Sequence, residues 1–334
     1  MKMRKAAVIA ASLFMMVVLV KMNGNIASFI STVKSEDAIE ALAPPAYSEE
    51  EKRELYEAIV AEAETKAIAP VNARIDRVWH AIPGYNGLSV DIEGTYKAAL
   101  EAPRGGAIPY QYREIPPKIT LAQLGAHPIY RGNPEKPMIS LMINVAWGNE
   151  YIDPILETLR GKGVKATFFL DGSWLKGNVD VARRIQAEGH EMSNHAYSHP
   201  DMKKLSRADQ TSQIVRTQTL LKDLLGVDNV WFAPPSGSYN AATVQAAREQ
   251  GLGTVLWTID TVDWMKPSPD YVIRKISSKL EPGALILMHP TAATRDAIGG
   301  MIDSALAKGY AIGTVSETLS EARVPVVVEG AGVF

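Results

Sequence analysis

His195 and His199 stand four residues apart in the polar, turn-forming stretch "SNHAYSHPDM". Two imidazoles at that spacing, in a turn or a short helix, can face one divalent ion. Two further groups can join them. His289 ends the apolar run "GALILMH", and "TIDTVDW" places Asp260, Asp263 and Trp264 directly after another apolar run. A metal ion with a carboxylate and a free histidine makes a hydrolytic site. The metal polarises a carbonyl and lowers the pKa of bound water, while a base and an acid move protons. Each residue also has a plainer reading. The histidine pair could cap and pack a turn, His289 could be a buried hydrogen-bonded histidine, and Asp260 could cap the turn after its strand. His80, His127 and His190 read as structural or surface histidines, and Trp147, Trp174, Trp231 and Trp257 as core aromatics.

The elements around these residues decide between the readings. From Met138 onward, short apolar runs ("MISLMINV", "KATFFLDG", "VWFA", "GTVLWTID", "GALILMH", "YAIGTV") alternate with helical segments that often stop at glycine (Gly163, Gly189, Gly251, Gly309). This is β/α repetition with about seven strands. Apolar runs without alternation suit strands buried on both faces. A parallel barrel and a doubly wound sheet both fit, and both place functional residues at the C-terminal strand ends. His195/His199, Asp260/Asp263/Trp264 and His289 all follow a predicted strand immediately.

Upstream, three segments are legible. Residues 1–34 open with the basic "MKMRK", followed by an apolar run over 6–20: an export signal, either cleaved or kept as a membrane anchor. Few positive charges follow it, which places the body outside the cytoplasm, membrane-anchored or secreted. Residues 35–115 read as an acidic, Pro-containing linker and a small α+β domain. In that domain Ser48 caps a helix, Ile75, Val78 and Trp79 form an apolar helical stretch, and "LSVDI" forms a strand. Residues 116–330 hold the β/α repetition. The 334 residues are 46% hydrophobic with a net charge of -2, which excludes global disorder and gives no electrostatic reason for a nucleic-acid partner. With no cysteine, thiolate catalysis and disulfides are excluded, and any metal must be held by histidine, carboxylate or amide groups.

Residues about 136–320 resemble the polysaccharide deacetylase domain (NodB homology, carbohydrate esterase family 4), and specifically a divergent subgroup from endospore-forming bacteria. The resemblance rests on "NHAYSHP", "DTVDW" and "LILMH", in the family's order, with "FFLDGSW" and "EGHEMSNH" as scaffold. It implies a distorted (β/α)7-type barrel and removal of N-acetyl groups from amino sugars of cell-wall polymers. It also implies a divalent ion, zinc or similar, on His195 and His199, and His289 as the acid that protonates the leaving amine. By the same resemblance Asp263 orients His289, Trp264 walls the sugar groove, and a backbone N–H near Ser236 faces the oxyanion.

Two motifs depart from the family. Its first motif supplies adjacent aspartates, a base and a metal ligand. Here "SLMINVAWGNE" puts Asn144 and Val145 in those places. The third motif's arginine, which holds the base, is replaced by Ala233 in "FAPPSGSYN". The changes cohere, because an arginine left buried without its carboxylate would be costly. An amide cannot deprotonate water. Asn144 is left to position a water or offer its carbonyl oxygen, with Glu150 or Asp171 as substitute carboxylates. Two readings follow: a deacetylase-type hydrolase with an impaired site, or a catalytically inactive glycan-binding pseudoenzyme in wall or spore assembly.

Overall fold

The computed structural model describes residues 47–324. The expected signal or anchor over 1–34 lies outside the described residues. Among the described residues no helix is long and apolar enough to cross a membrane.

The first helix, α1 (Glu49–Ala63), starts as its sequence dictates. Glu51 N donates to Ser48 Oγ at 3.2 Å and Ser48 N to Glu51 Oε2 at 2.7 Å, a reciprocal cap. The stretch Ile75–Trp79, expected to be helical, is a hairpin instead. Strand β1 (Arg74–Asp76) pairs antiparallel with β2 (His80–Ile82) in the register Asp76↔His80. The turn wins because Asp76 Oδ1 accepts from both Val78 N (2.7 Å) and Trp79 N (2.8 Å), and His80 takes a left-handed φ of 55°. Strand β3 (Gly87–Val90), helix α2 (Ile92–Glu101) and strand β4 (Tyr112–Ile115) follow, with β3 and β4 antiparallel.

These elements fall into two compact units, grouped differently from the expected 35–115 span. One comprises residues 47–62 and 92–110, the other 63–91 and 111–324. The first holds α1 and α2, joined by an edge-on Tyr56–Tyr96 contact and a Tyr56 Oη to Glu93 hydrogen bond of 3.1 Å. Both antiparallel pairings belong to the second unit.

The second unit is built on β5 (Met138–Val145), whose eight residues are all buried. There follow α3 (Asn149–Gly161), β6 (Thr167–Leu170), α4 (Gly172–Gly177), α5 (Val179–Ala187), β7 (Glu191–Asn194), α6 (Arg207–Leu225), β8 (Trp231–Phe232), α7 (Ala241–Glu249), β9 (Gly253–Thr254), β10 (Ile259–Asp260), α8 (Pro269–Lys279), β11 (Leu285–Met288), α9 (Ala292–Ala307), β12 (Ala311–Gly313) and α10 (Val315–Leu319). The strands form a curled parallel sheet in the order β10-β11-β5-β6-β7-β8-β9, and β12 pairs with the first three residues of β5. This is the expected NodB-like distorted barrel, its sheet curled into a half-barrel. Leu141, Ile143 and Val145 share one apolar cluster with helix residues such as Ile152 and Leu156. Met142 belongs to the inner cluster with Phe169, Ala233, Val255 and Leu285. That division is the alternation of a strand covered on both sides.

β9 and β10 do not pair with each other. Residues 129–131 occupy the seam. Ile129 N donates to Thr254 O at 2.9 Å, Leu256 N to Ile129 O at 2.8 Å, and Thr258 Oγ1 to Tyr130 O at 2.7 Å. The backbone groups that an open edge would leave unsatisfied are thereby paired.

Candidate functional site

The loops at the C-terminal ends of β5, β7, β8, β10 and β11 carry the candidate residues. At the end of β7, Asn194 folds the chain back. Its Oδ1 accepts from Ala196 N (2.9 Å) and its Nδ2 donates to Ile214 O (2.8 Å) on α6. That turn presents His195 and His199, whose rings lie 5.2 Å apart at 66°. His195 Nδ1 is 2.7 Å from Ala233 O. A carbonyl only accepts, so Nδ1 carries the hydrogen and Nε2 keeps its lone pair. Burial, then the charges of His199 and His289, push the His195 imidazole down to about 3. Burial also lowers His199, against a raising influence from Asp171 and with a further lowering one from His289. His289 thus acts electrostatically on both rings, so the structure brings the three histidines into one neighbourhood.

His289 is held by Asp263, which is fully buried. The Asp263 carboxylate accepts from His289 N (2.6 Å), His289 Nδ1 (2.8 Å) and Thr294 Oγ1 (2.5 Å). Burial alone would raise this carboxyl. The hydrogen bonds and charge of His289, with Thr294, outweigh it and hold the group below its ordinary value. Nε2 of His289 is left as the nitrogen that could exchange a proton with a ligand. The Asp263–His289 pairing read from sequence is therefore formed. So is a structural reason for it, because one carboxylate ties the loop after β10 to β11 and the start of α9.

The end of β5 is different. Asn144 is buried, and its Oδ1 has no hydrogen-bond partner. Val145 lies in the helix-facing apolar cluster, and Ala233 is fully buried in the inner one. Asp171 caps α4 through Oδ1, which accepts from Trp174 N at 2.9 Å. Glu150 lies on a cavity with Trp264. Among the described residues, no group of three or more histidine or carboxylate side chains is arranged to hold a metal ion. Without the carboxylates that Asn144 and Val145 replace, the two imidazoles are an incomplete donor set for zinc, so the residues present do not fit the family's metal centre.

Asp260 Oδ1 accepts from Val262 N at 2.7 Å, which is the turn-capping role. Ser236 sits exposed in the 3-10 turn Pro235–Gly237 at φ 53°, and that loop is tied to the histidine pair through Ala233 O. Trp264 is 56% exposed. Backbone strain collects in these loops. Among the described residues, Ala196, His199, Ser236, Val262 and Lys266 are five of the six non-glycine residues with positive φ, and only His80 lies elsewhere. Such conformations cost of order 1–3 kcal/mol each and gather at functional sites.

Trp147 was expected in the core. It is 46% exposed, and its indole stacks on His289 with ring centres 6.0 Å apart and planes at 10°. Gly148 sets this up at φ 85°, where a Cβ would lie 2.1 Å from Pro290 O. The signal was present in the sequence: a tryptophan beside a glycine at the C-terminal end of a buried strand is in a loop, not in the strand.

The polysaccharide deacetylase family profile matches residues 131–255. The uncharacterized protein YlxY of Bacillus subtilis (strain 168) is 45% identical over 273 residues, 82% of this chain and 86% of that protein. A peptidoglycan-N-acetylglucosamine deacetylase of Bacillus cereus is 33% identical over 162 residues, 48% of this chain and 59% of that protein. Among solved structures, a carbohydrate esterase family 4 pseudoenzyme from Bacillus anthracis is 43% identical, with a TM-score of 0.76 over 81% of this chain and 96% of that one. A mutant of the same pseudoenzyme with restored enzymatic activity matches at 42% identity and the same TM-score, over 81% and 99%. The chain belongs to the polysaccharide deacetylase family, carbohydrate esterase family 4.

Proposed function

We propose that this protein is an extracytoplasmic, wall-associated member of the family that binds glycans with N-acetylated amino sugars and does not deacetylate them in its native form. One observation carries the reading. The end of β5, where the base and the anionic metal ligand belong, presents a buried amide and a buried isopropyl group instead of two carboxylates. Neither can take a proton from water, and neither offers the two imidazoles the anionic ligand that a divalent ion would need there. The intact Asp263–His289 pair does not argue for turnover, because the pair also holds three segments together. The peptidoglycan deacetylase and the pseudoenzyme among the relatives support, respectively, a wall glycan as partner and loss of chemistry. The basic, apolar start of the sequence supports export, with the membrane reached through that segment.

The test is acetate release from peptidoglycan and chitooligosaccharides with added zinc, run beside glycan pull-down. The native protein is expected to retain glycan and release no acetate. The combined variant N144D/V145D/A233R is expected to gain release. Zinc-dependent acetate release by the native protein, lost on His289→Ala, would overturn the reading.

A further inference from the structure

We infer that a second binding site lies at the N-terminal ends of β8 and β9, away from His195, His199 and His289, and that it takes a small monocarboxylate with an apolar body. A cavity of about 440 Å³ opens there, between α7, α10 and the segment 120–129. All of its lining residues belong to the second unit. The loops that carry the three histidines leave the opposite, C-terminal ends of the strands, so this cavity does not depend on the glycan reading. Its volume lies within the range of small-ligand sites.

The walls are apolar and set in advance. Ile129, Leu252 and Leu319 line the cavity and are buried. Trp231 is fixed from two sides. Its Nε1 donates to Ser316 Oγ at 2.7 Å, and Gly253 leaves the room that the ring occupies, since a Cβ there would lie 2.5 Å from Cζ3 of the indole. Little ordering therefore remains to be done on binding. Val230, on the same lining, is left 47% exposed, and an apolar ligand body would cover it.

The polar groups select the occupant. The formal charges on the lining are Arg248 and Glu321. Glu321 is already used. Its Oε1 accepts from Leu121 N at 2.9 Å, and its charge acts on the buried Lys136 ammonium. Arg248 spends one N–H on Ala122 O at 2.9 Å and forms no ion pair among the described residues. Its guanidinium is the charge left for a ligand, and that planar fork of donors suits a carboxylate. Thr254 lines the cavity too. It is 1% exposed, and its buried Oγ1 has no hydrogen-bond partner. A hydroxyl in that state is costly to keep and gains from an acceptor brought into the cavity. A second negative charge on the ligand would face Glu321, which favours a monoanion over a dianion.

The experiment titrates the native chain and its variants with octanoate, read by calorimetry and tryptophan fluorescence. The controls, 1-octanol, octylamine and the dicarboxylate suberate, keep the same carbon frame and change only the charge. Octanoate is expected to bind, and each control to bind about tenfold more weakly or worse. Arg248→Gln, at an exposed position, should weaken octanoate by about tenfold, the loss of one charge-assisted contact, and bring it level with 1-octanol. Thr254→Val keeps the shape and removes an unpartnered hydroxyl, so it should weaken octanoate several-fold without lowering Tm. Absence of octanoate binding overturns the assignment, as does any control that matches it. So does octanoate affinity left undiminished by either Arg248→Gln or Thr254→Val. None of these results bears on glycan binding, so the two readings fall separately.

Discussion

Asp263→Asn tests why the dyad persists in a site that has lost its base. The carboxylate gathers His289 N, His289 Nδ1 and Thr294 Oγ1 within 2.8 Å, and Thr291 Oγ1 at 3.4 Å, with no exposure to water. An amide has one acceptor oxygen and places two N–H donors where the second oxygen was. At least one of the His289 donors then faces another donor. Hydrogen bonds to a charged group contribute about 1.5–3 kcal/mol, and a stranded buried donor costs about 1–3 kcal/mol. The neutral amide is easier to bury, which offsets part of this. A net loss of about 2–4 kcal/mol is expected at pH 7. The pH dependence has a definite sign. The folded Asp263 titrates below its unfolded value of about 3.9, so its contribution is complete above that pH and fades as pH falls through the folded value. The gap between native protein and variant should therefore be wide at pH 7 and close below about pH 4. Urea unfolding followed by tryptophan fluorescence measures it cleanly, because all six tryptophans belong to the sheet unit. A variant within about 0.5 kcal/mol of native at pH 7, the scatter of neutral surface changes, would refute the structural role and return the dyad to catalysis.

Two further predictions bear on the loops and the core. Gly148→Ala places a Cβ 2.1 Å from Pro290 O at a φ of 85°, and should lower stability by about 2 kcal/mol or more in scanning calorimetry; an unchanged Tm would contradict the seating of the loop. His190, pushed down to about 4 by burial and then by Lys165, is neutral when folded and gains a proton on unfolding. Its contribution is full above its unfolded value near 6.5 and is lost between there and about 4, roughly 3 kcal/mol in all. His190→Asn keeps an acceptor for Ala166 N and should flatten that part of the native stability-versus-pH curve; an identical slope for both proteins would sink the assignment.

Much of the fold was legible because its causes are local. Six apolar residues among eight made β5 a doubly covered strand, Ser206 capped α6, and Ser48 with Glu51 capped α1. The site was legible in part for the same reason, since a strand-end position is a local property and His195, His199, Asp263 and His289 all occupy one. The departures at Asn144, Val145 and Ala233 were also visible. Whether Glu150 or Asp171 could swing in depends on where separate loops settle. Asp171 Oδ1 caps α4 while its Oδ2 is buried without a hydrogen-bond partner, and Glu150 lies in the cavity beside Trp264.

What the sequence alone determined, then, is the β/α repetition, the helix caps and the chemical types at each strand end, all set by neighbours along the chain. Only the tertiary structure decided the rest. It folded 74–82 into a hairpin where apolar spacing suggested a helix, because the Asp76 carboxylate captured two backbone N–H groups. It placed Ile129 in the seam between β9 and β10, and it turned Trp147 outward onto His289. The last two outcomes depend on backbone groups and rings that meet across large sequence separations, and the first on a local Asp76 turn; apolar periodicity carries no record of either.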